Sequence, residues 1–282
     1  MTTFFQLVVV GISTGSVFAI VGMSLVLVFK ATGIVNFAQG VFAVLGGLLT
    51  YGLGKHMSLV LAAPLAALAT AVIATLVAVV AVGVRGRTTP LASLIITVGI
   101  ALFAEAALLA TFGEVPRSYS AVSDRAWDVD GVLVQPQYAV LTVVALGAAI
   151  GLTLFLRRTI VGQALVASAD SPRAAELIGL NLRWVAVIAF AIAGALTAIG
   201  GLLLAPTVPL TYNSDLSITI NGFAAAVFGG FVSIRLALLG GYALGIVEQL
   251  VIGYVDPQYN LIIALVVMLA LIGWRSRGEL AV

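Results

Sequence analysis

The sequence predicts an all-α, polytopic transmembrane bundle of about eight or nine spans, with one short helix in a cytoplasmic loop. Three observations carry that prediction. Only 9% of the 282 residues are charged and 62% are hydrophobic, and the mean hydropathy is +1.22. A soluble domain runs nearer about 25% charged, so there is too little charge here to cover a water-facing surface. The apolar residues also fall into runs of spanning length, and a helix satisfies its own backbone polar groups in lipid. Within those runs apolar and polar residues do not alternate, which excludes the strands of a transmembrane barrel. No stretch is long or polar enough for a separate soluble domain of about 100 residues, so residues 1–282 read as one transmembrane domain.

The runs follow in order. The first covers residues 4–29 and ends at Lys30. The N-terminus MTTFFQ has no basic residue and the run is long, so a cleaved signal peptide is not expected. The second covers 34–53 and opens after Gly33 with two amides, Asn36 and Gln39. The third, 57–84, stops at Arg85 and Arg87, and the fourth, 91–112, contains Glu105. A mixed loop over 113–137 carries Glu114, Arg117, Asp124, Arg125, Asp128, Asp130 and Trp127, a composition that suits a capped loop or a docking surface. The fifth run, 138–156, leads into the inner segment 157–183. Runs at 184–205, 216–232, 236–254 (with Glu248) and 260–274 complete the set, the last being short for a span.

Orientation follows from the loops. Lys30, Arg85, Arg87, Arg157, Arg158, Arg173, Arg183, Arg235, Arg275 and Arg277 lie on one side, and only Lys55, Arg117 and Arg125 on the other. The richer side is expected to be cytoplasmic. Nine spans then place the N-terminus outside and the C-terminus inside.

The composition also removes chemistries. There is no Cys and a single His, His56, so neither thiolate chemistry nor a Cys- or His-based metal site is expected. Only two Lys are present and neither stands in a G-x-x-x-x-G-K-[ST] frame, which excludes ATP binding by a P-loop. No nucleophile–base pair or HExxH is visible, so no catalytic residue, metal or cofactor is expected in the chain. A net charge of +2, spread along the chain, gives no reason to expect nucleic acid.

Two regions carry functional signals. Residues 169–180 read ADSPRAAELIGL, with full helix punctuation. Ser171 suits the cap, Pro172 the first helical position and Gly179 a left-handed stop. A helix of about two turns is marginal alone and needs a partner to pack on. Ala174, Ala175, Leu177 and Ile178 supply an apolar patch ringed by Arg157, Arg158, Arg173 and Arg183, suited to a cleft in a cytoplasmic protein or to lipid headgroups. The second region is Asn36 to Gly40. Amides in hydrocarbon are costly unless bonded. Gly33 and Gly40 bracket the pair and would allow a broken helix, whose free N–H groups and positive dipole end suit a carboxylate. The bland alternative is that Asn36 caps the second helix and Gln39 bonds a neighbour. Glu105 and Glu248 are each costly in lipid, by roughly 2.5–3.5 kcal/mol at the bilayer centre, and must face protein or water. The four-residue spacings Gly11/Gly15, Gly147/Gly151 and Gly241/Gly245 allow close helix approach.

The run Ala174-Ala175-Glu176-Leu177-Ile178-Gly179 resembles the A-A-x-x-x-G element in the cytoplasmic loop of ABC importer permeases. The segments Gly11 to Ser16 and Gly33 to Gly40 are similar to the start of the branched-chain amino-acid permeases of the Liv type. Asn221 to Gly230, followed by Gly240, Gly241 and Gly245 to Glu248, resembles their late glycine-rich segment. Arg173 stands where relatives often have Glu, and Gln39 where many read His. The resemblance implies a permease subunit of an ABC importer in a bacterial plasma membrane. Its solute, a branched-chain or related small amino acid, would be delivered by an extracytoplasmic solute-binding protein. Separate cytoplasmic ATPase subunits would power it, alongside a second permease subunit, homologous or identical. It further implies that residues 157–183 form the coupling loop, with Arg173, Ala174, Ala175, Glu176 and Gly179 at the ATPase. Asn36, Gln39, Gly40, Asn221 and Glu248 then become candidates for the substrate pathway. An ion-gradient carrier using Glu105 or Glu248, or a urea or amide permease or channel, are the other readings the residues allow.

Overall fold

Each long apolar run is a helix in the structure, a computed structural model that describes residues 2–82, 89–120, 123, 126–129, 131–256 and 259–279. The order is α1 (Thr2–Thr32), α2 (Gln39–Gly54), α3 (Leu59–Val82), α4 (Pro90–Phe112), β1 (Trp127–Val129), β2 (Val132–Val134), α5 (Pro136–Arg158), α6 (Ile160–Asp170), α7 (Pro172–Leu177), α8 (Leu182–Leu204), α9 (Asp215–Phe228), α10 (Ile234–Tyr254) and α11 (Asn260–Glu279). Val84, Arg85, Arg87, Asp124, Arg125 and Asp130, used in the sequence reading, lie outside the described residues.

The all-α class holds, and the eight or nine expected spans differ in length. Six described helices are long and apolar enough to cross a bilayer: α1, α3, α4, α5, α8 and α10. At 1.5 Å per residue, α2 and α9 reach only about 24 and 21 Å, short of a hydrocarbon core of about 30 Å. For α2 the reason is local: residues 34–38 are non-helical although they are apolar enough to extend the run, and α9 stops at the turn over residues 229–232. In the other direction, α11 continues to Glu279, past the expected stop at residue 274.

The core is built around α1, which is buried along most of its length. It packs on α10, α8, α9 and α5. The closest of these contacts is glycine on glycine. A Cβ on Gly11 would lie 2.6 Å from the Ile246 Cα, and one on Gly15 would lie 2.7 Å from the Gly241 carbonyl oxygen. The Gly11/Gly15 and Gly241/Gly245 pairs thus face each other, bringing two backbones together where side chains would hold them apart. Gly147 and Gly151 share the spacing and do no such thing: no atom stands within 4 Å of a Cβ on either. Three hydroxyls inside the bundle bond within their own helices: Ser16, Thr50 and Thr70 donate to the carbonyl four residues back at 2.8, 2.7 and 2.8 Å, which meets their need for a partner without leaving the helix. Toward the outside, α3 shows a stripe of exposed Leu61, Leu65, Leu68, Val72 and Leu76, the surface a membrane helix presents to lipid.

The loop 113–137 is fastened to the bundle. Arg117 forms a two-way backbone bridge with Leu210 and donates from its guanidinium to Tyr51 and to the Phe112 carbonyl. The Tyr119 hydroxyl donates to the Leu202 carbonyl. β1 and β2 pair antiparallel, Trp127 opposite Val134, around Gly131, whose N–H donates to the Asp128 carboxylate at 2.8 Å. Gln6 of α1 exchanges two bonds with the Leu133 backbone and ties the hairpin down.

Candidate functional site

Between α1 and α2 the chain runs unwound into the bundle, and its polar groups are met by four helices. The Asn36 Oδ1 accepts from the Ala38 N–H at 3.1 Å, and its Nδ2 donates to the Gln39 Oε1 at 2.9 Å. The Gln39 Nε2 donates to the Ala193 carbonyl at 3.1 Å and to the Thr197 hydroxyl, both on α8. The Gly40 N–H donates to Thr219 of α9 at 3.1 Å, and the Phe37 N–H to Thr97 of α4 at 3.3 Å. Gly40 tolerates no side chain, since a Cβ would collide with the Thr219 hydroxyl and the Asp215 carbonyl. Asn36 and Gln39 are fully buried. The Phe37, Ala38 and Gly40 N–H groups at the start of α2 are therefore engaged by side chains, and that of Gln39 by the Asn36 carbonyl. Free donors pointing into a cavity are not found at Phe37, Ala38 or Gly40.

The other pathway candidates sit apart from this knot. Asn221 on α9 is buried, and both atoms of its amide are without a hydrogen-bond partner among the described residues. Glu248 on α10 is 6% exposed and its Oε2 is likewise without a partner. It lines a cavity of about 280 Å³ with Thr14, Ser214, Ser217 and Gln249, closed on its apolar side by Phe18 and Leu210. None of residues 36–40 lines that cavity, so the structure does not bring Asn36 and Glu248 into one chamber.

Sequence reading passed over three features. Asp215, at the first turn of α9, is buried and lies within electrostatic reach of the Glu105 carboxylate; it precedes the apolar run by one residue, which hid it. Four phenyl rings join the unwound segment to the end of α9: Phe37 stacks on Phe223 at 5.8 Å, Phe223 meets Phe231 at 5.2 Å, and Phe231 meets Phe29 at 4.9 Å. Phe231 has φ 56°, the one positive value for a non-glycine among the described residues. That conformation is costly for a bulky side chain. The pair Gly229-Gly230 before it was the available sign of a tight turn. Third, the segment 157–183 holds two helices, not one. α6 is capped by the Thr159 hydroxyl, which accepts from the Gly162 N–H at 2.9 Å.

α7 follows α6. The Ser171 hydroxyl accepts from the Ala174 N–H at 3.3 Å, and Pro172 opens the helix. The Leu180 N–H donates to the Ala175 carbonyl and the Gly179 N–H to the Glu176 carbonyl, at 3.0 Å each, with Gly179 at φ 86°. This paired closure around a left-handed glycine ends the helix. Ala175 turns inward and is buried, while Arg173, Ala174 and Glu176 are exposed. Leu177 and Ile178 are 88% and 74% exposed and stand side by side. Behind α7 lies a cavity of about 500 Å³ whose wall includes Asp170 and Pro172 on one side and Thr32, Gly33, Ile34 and Phe231 on the other. The base of α7 thus adjoins the point where α1 gives way to the unwound segment.

Known proteins show the same arrangement of sequence. The family described as branched-chain amino acid transport system / permease component matches residues 7–272. The high-affinity branched-chain amino acid transport system permease protein LivH of Escherichia coli (strain K12) is 26% identical over 283 residues, covering 94% of this chain and 92% of the relative. The corresponding BraD of Pseudomonas aeruginosa is 26% identical over 294 residues, covering 98% and 95%. A probable LivH permease of Methanocaldococcus jannaschii is 37% identical over 141 residues, 46% of this chain and 44% of the relative.

Proposed function

The chain belongs to the family of branched-chain amino acid transport permeases, and from that premise we propose that it is the membrane subunit of an ABC importer for branched-chain or related small amino acids. Residues 1–282 act as one permease domain. An extracytoplasmic binding protein delivers the solute, a second permease subunit completes the pathway, and cytoplasmic ATPases drive it. The observation that carries this reading is the exposed pair Leu177 and Ile178 on a capped helix whose base adjoins the unwound start of α2. Two large apolar side chains at the end of a six-residue helix are costly in water and gain by entering a protein groove.

In this mechanism α7 is the coupling helix. Arg173, Ala174, Glu176 and the Gly179 turn meet the ATPase, and Ala175 holds the helix to its own subunit. Movement of α7 reaches the unwound segment through the shared cavity wall. There it bears on Asn36, Gln39 and Gly40, where four helices are joined by hydrogen bonds with few backbone constraints. The phenyl chain from Phe29 to Phe37 stands at the same end and closes the path toward the basic side. On the far side, Glu248 and its hydroxyl neighbours suit the ammonium group of an amino acid, and the unpartnered amide of Asn221 suits a polar group passing along α9. Most side-chain discrimination then rests on the external binding protein, since a methylene in a pocket is worth only about 1–3 kcal/mol.

The test is purification from native membranes in mild detergent, followed by leucine uptake into vesicles supplied with ATP. A co-purifying ATPase is expected, and a Leu177→Glu/Ile178→Glu chain should reach the membrane in normal amount yet lose both the ATPase and uptake. Uptake that needs no ATP but follows an ion gradient would overturn the reading.

A further inference from the structure

A groove on the outer surface of the bundle, between α5 and α10, has a chemistry that transport does not use. Leu146, Ile150 and Leu154 line it from α5 and Leu238 from α10, and three arginines, Arg157, Arg158 and Arg235, stand at its basic end. Its volume is about 360 Å³. Leu146, Ile150 and Leu154 are 42–61% exposed. The wall from Leu146 to Arg157 spans about 16 Å of helix, close to half of a hydrocarbon core of about 30 Å. The groove therefore has the depth of one leaflet, apolar along its length and cationic at the level of the headgroups.

The charge is concentrated. None of the three guanidinium groups is paired with a carboxylate among the described residues. The adjoining cavity of about 660 Å³ shares Thr153, Arg157 and Arg235 and adds Lys30 and Asp170, so four cations face one carboxylate across the two spaces. Like charges gathered at a membrane surface repel unless an anion lies among them. We infer that the α5–α10 groove is a binding site for an anionic phospholipid, its phosphate held by Arg157, Arg158 and Arg235 and one acyl chain lying along Leu146, Ile150, Leu154 and Leu238. Guanidinium groups pair with phosphate through two parallel hydrogen bonds, and among phosphodiester headgroups one without a cation of its own suits this cluster better than a zwitterionic one, whose ammonium would join the repulsion. A second copy of the chain is the poorer occupant, because packing protein over the groove would desolvate three unpaired arginines.

The test uses the full-length chain, with whatever subunits purify with it, titrated with phosphatidylglycerol or phosphatidylcholine and read by native mass spectrometry. Phosphatidylglycerol should bind about tenfold or more tightly than phosphatidylcholine, as expected for several basic groups at one headgroup. In the Arg157→Gln/Arg158→Gln/Arg235→Gln chain the preference should vanish, and in Lys55→Gln it should stay. Ile150→Trp, which fills the groove and leaves the charge intact, should weaken phosphatidylglycerol binding and guards against a misfolded triple variant. Equal binding of the two lipids by the unaltered chain, or an unchanged preference in the triple variant, would overturn the inference. So would displacement of phosphatidylglycerol by equimolar inorganic phosphate, which marks a free-anion site. Efficient cross-linking of Ile150→Cys between two copies in native membrane would instead assign the face to an interface and also overturn it.

Discussion

Asn36 serves two neighbours with one amide: its oxygen holds the Ala38 N–H and its nitrogen holds Gln39. Removing the amide leaves a buried donor and a buried acceptor unmet, at about 1–3 kcal/mol each. Asn36→Leu should therefore lower the thermal midpoint of the purified chain in detergent, and by more than Thr142→Val, whose hydroxyl bonds mainly within its own helix. Equal midpoints for the two variants would remove the knot from the account of stability. Phe231 offers a cleaner separation of backbone from side chain. At φ 56° a non-glycine residue pays about 1–2 kcal/mol. Phe231→Ala keeps that strain and loses the rings' contacts, whereas Phe231→Gly loses the contacts and the strain together. The glycine variant should be the more stable of the two by about 1 kcal/mol in denaturant titration. If alanine proves equal, the left-handed backbone at Phe231 carries no strain.

Among the elements, α7 was the most legible. Ser171, Pro172 and Gly179 name the cap, the first turn and the stop, and each occupies that position. Hydropathy located the long helices for a similar reason: a self-bonded helix needs only apolar side chains to sit in lipid. The same signal concealed the shortness of α2. Ile34, Val35, Phe37 and Ala38 are as apolar as helical residues, and the partners that hold the non-helical segment and the first turn of α2, Thr97 at Phe37 and Thr219 at Gly40, come from distant parts of the chain. Asn36, Gln39 and Gly40 were singled out as a break, but their closure against α8 and α9 was beyond local reading, as was the separation of Glu248 from them. Gly179→Leu tests α7 as an element. It forces a branched side chain into a left-handed turn at about 1–2 kcal/mol and should abolish uptake while leaving membrane insertion intact. Normal ATP-driven uptake by that variant would show that the turn has no part in coupling.

For the whole molecule, the charges sort the two ends. Lys30, Arg157 and Arg235 meet at the cavities beside α6, while Lys55 and Arg117 gather over the Tyr51 ring at the other end. We propose that the basic end faces the cytoplasm, as the positive-inside rule expects: Glu176→Cys should then escape an impermeant maleimide in intact cells and Asp128→Cys on the exposed hairpin should react. The reverse labelling would invert the orientation and place α7 out of reach of any cytoplasmic ATPase.

The seam between α1 and α10 sets a rule for motion. Where Gly11 and Gly15 meet Gly241 and Gly245, main chain rests on main chain, and there are no rotamers to rearrange. Such a contact has no intermediate settings: it stays shut or it separates outright. The two helices therefore travel as one spar. The same holds for α2 and α8, where a Cβ on Gly46 would meet the Ala198 main chain and one on Gly201 that of Ala43, so opening and closing are hinged between the two spars, where the Ile20 side chain of α1 meets Gly200 of α8. A covalent staple within either spar would go unnoticed by the transport cycle, while a staple from one spar to the other would arrest it.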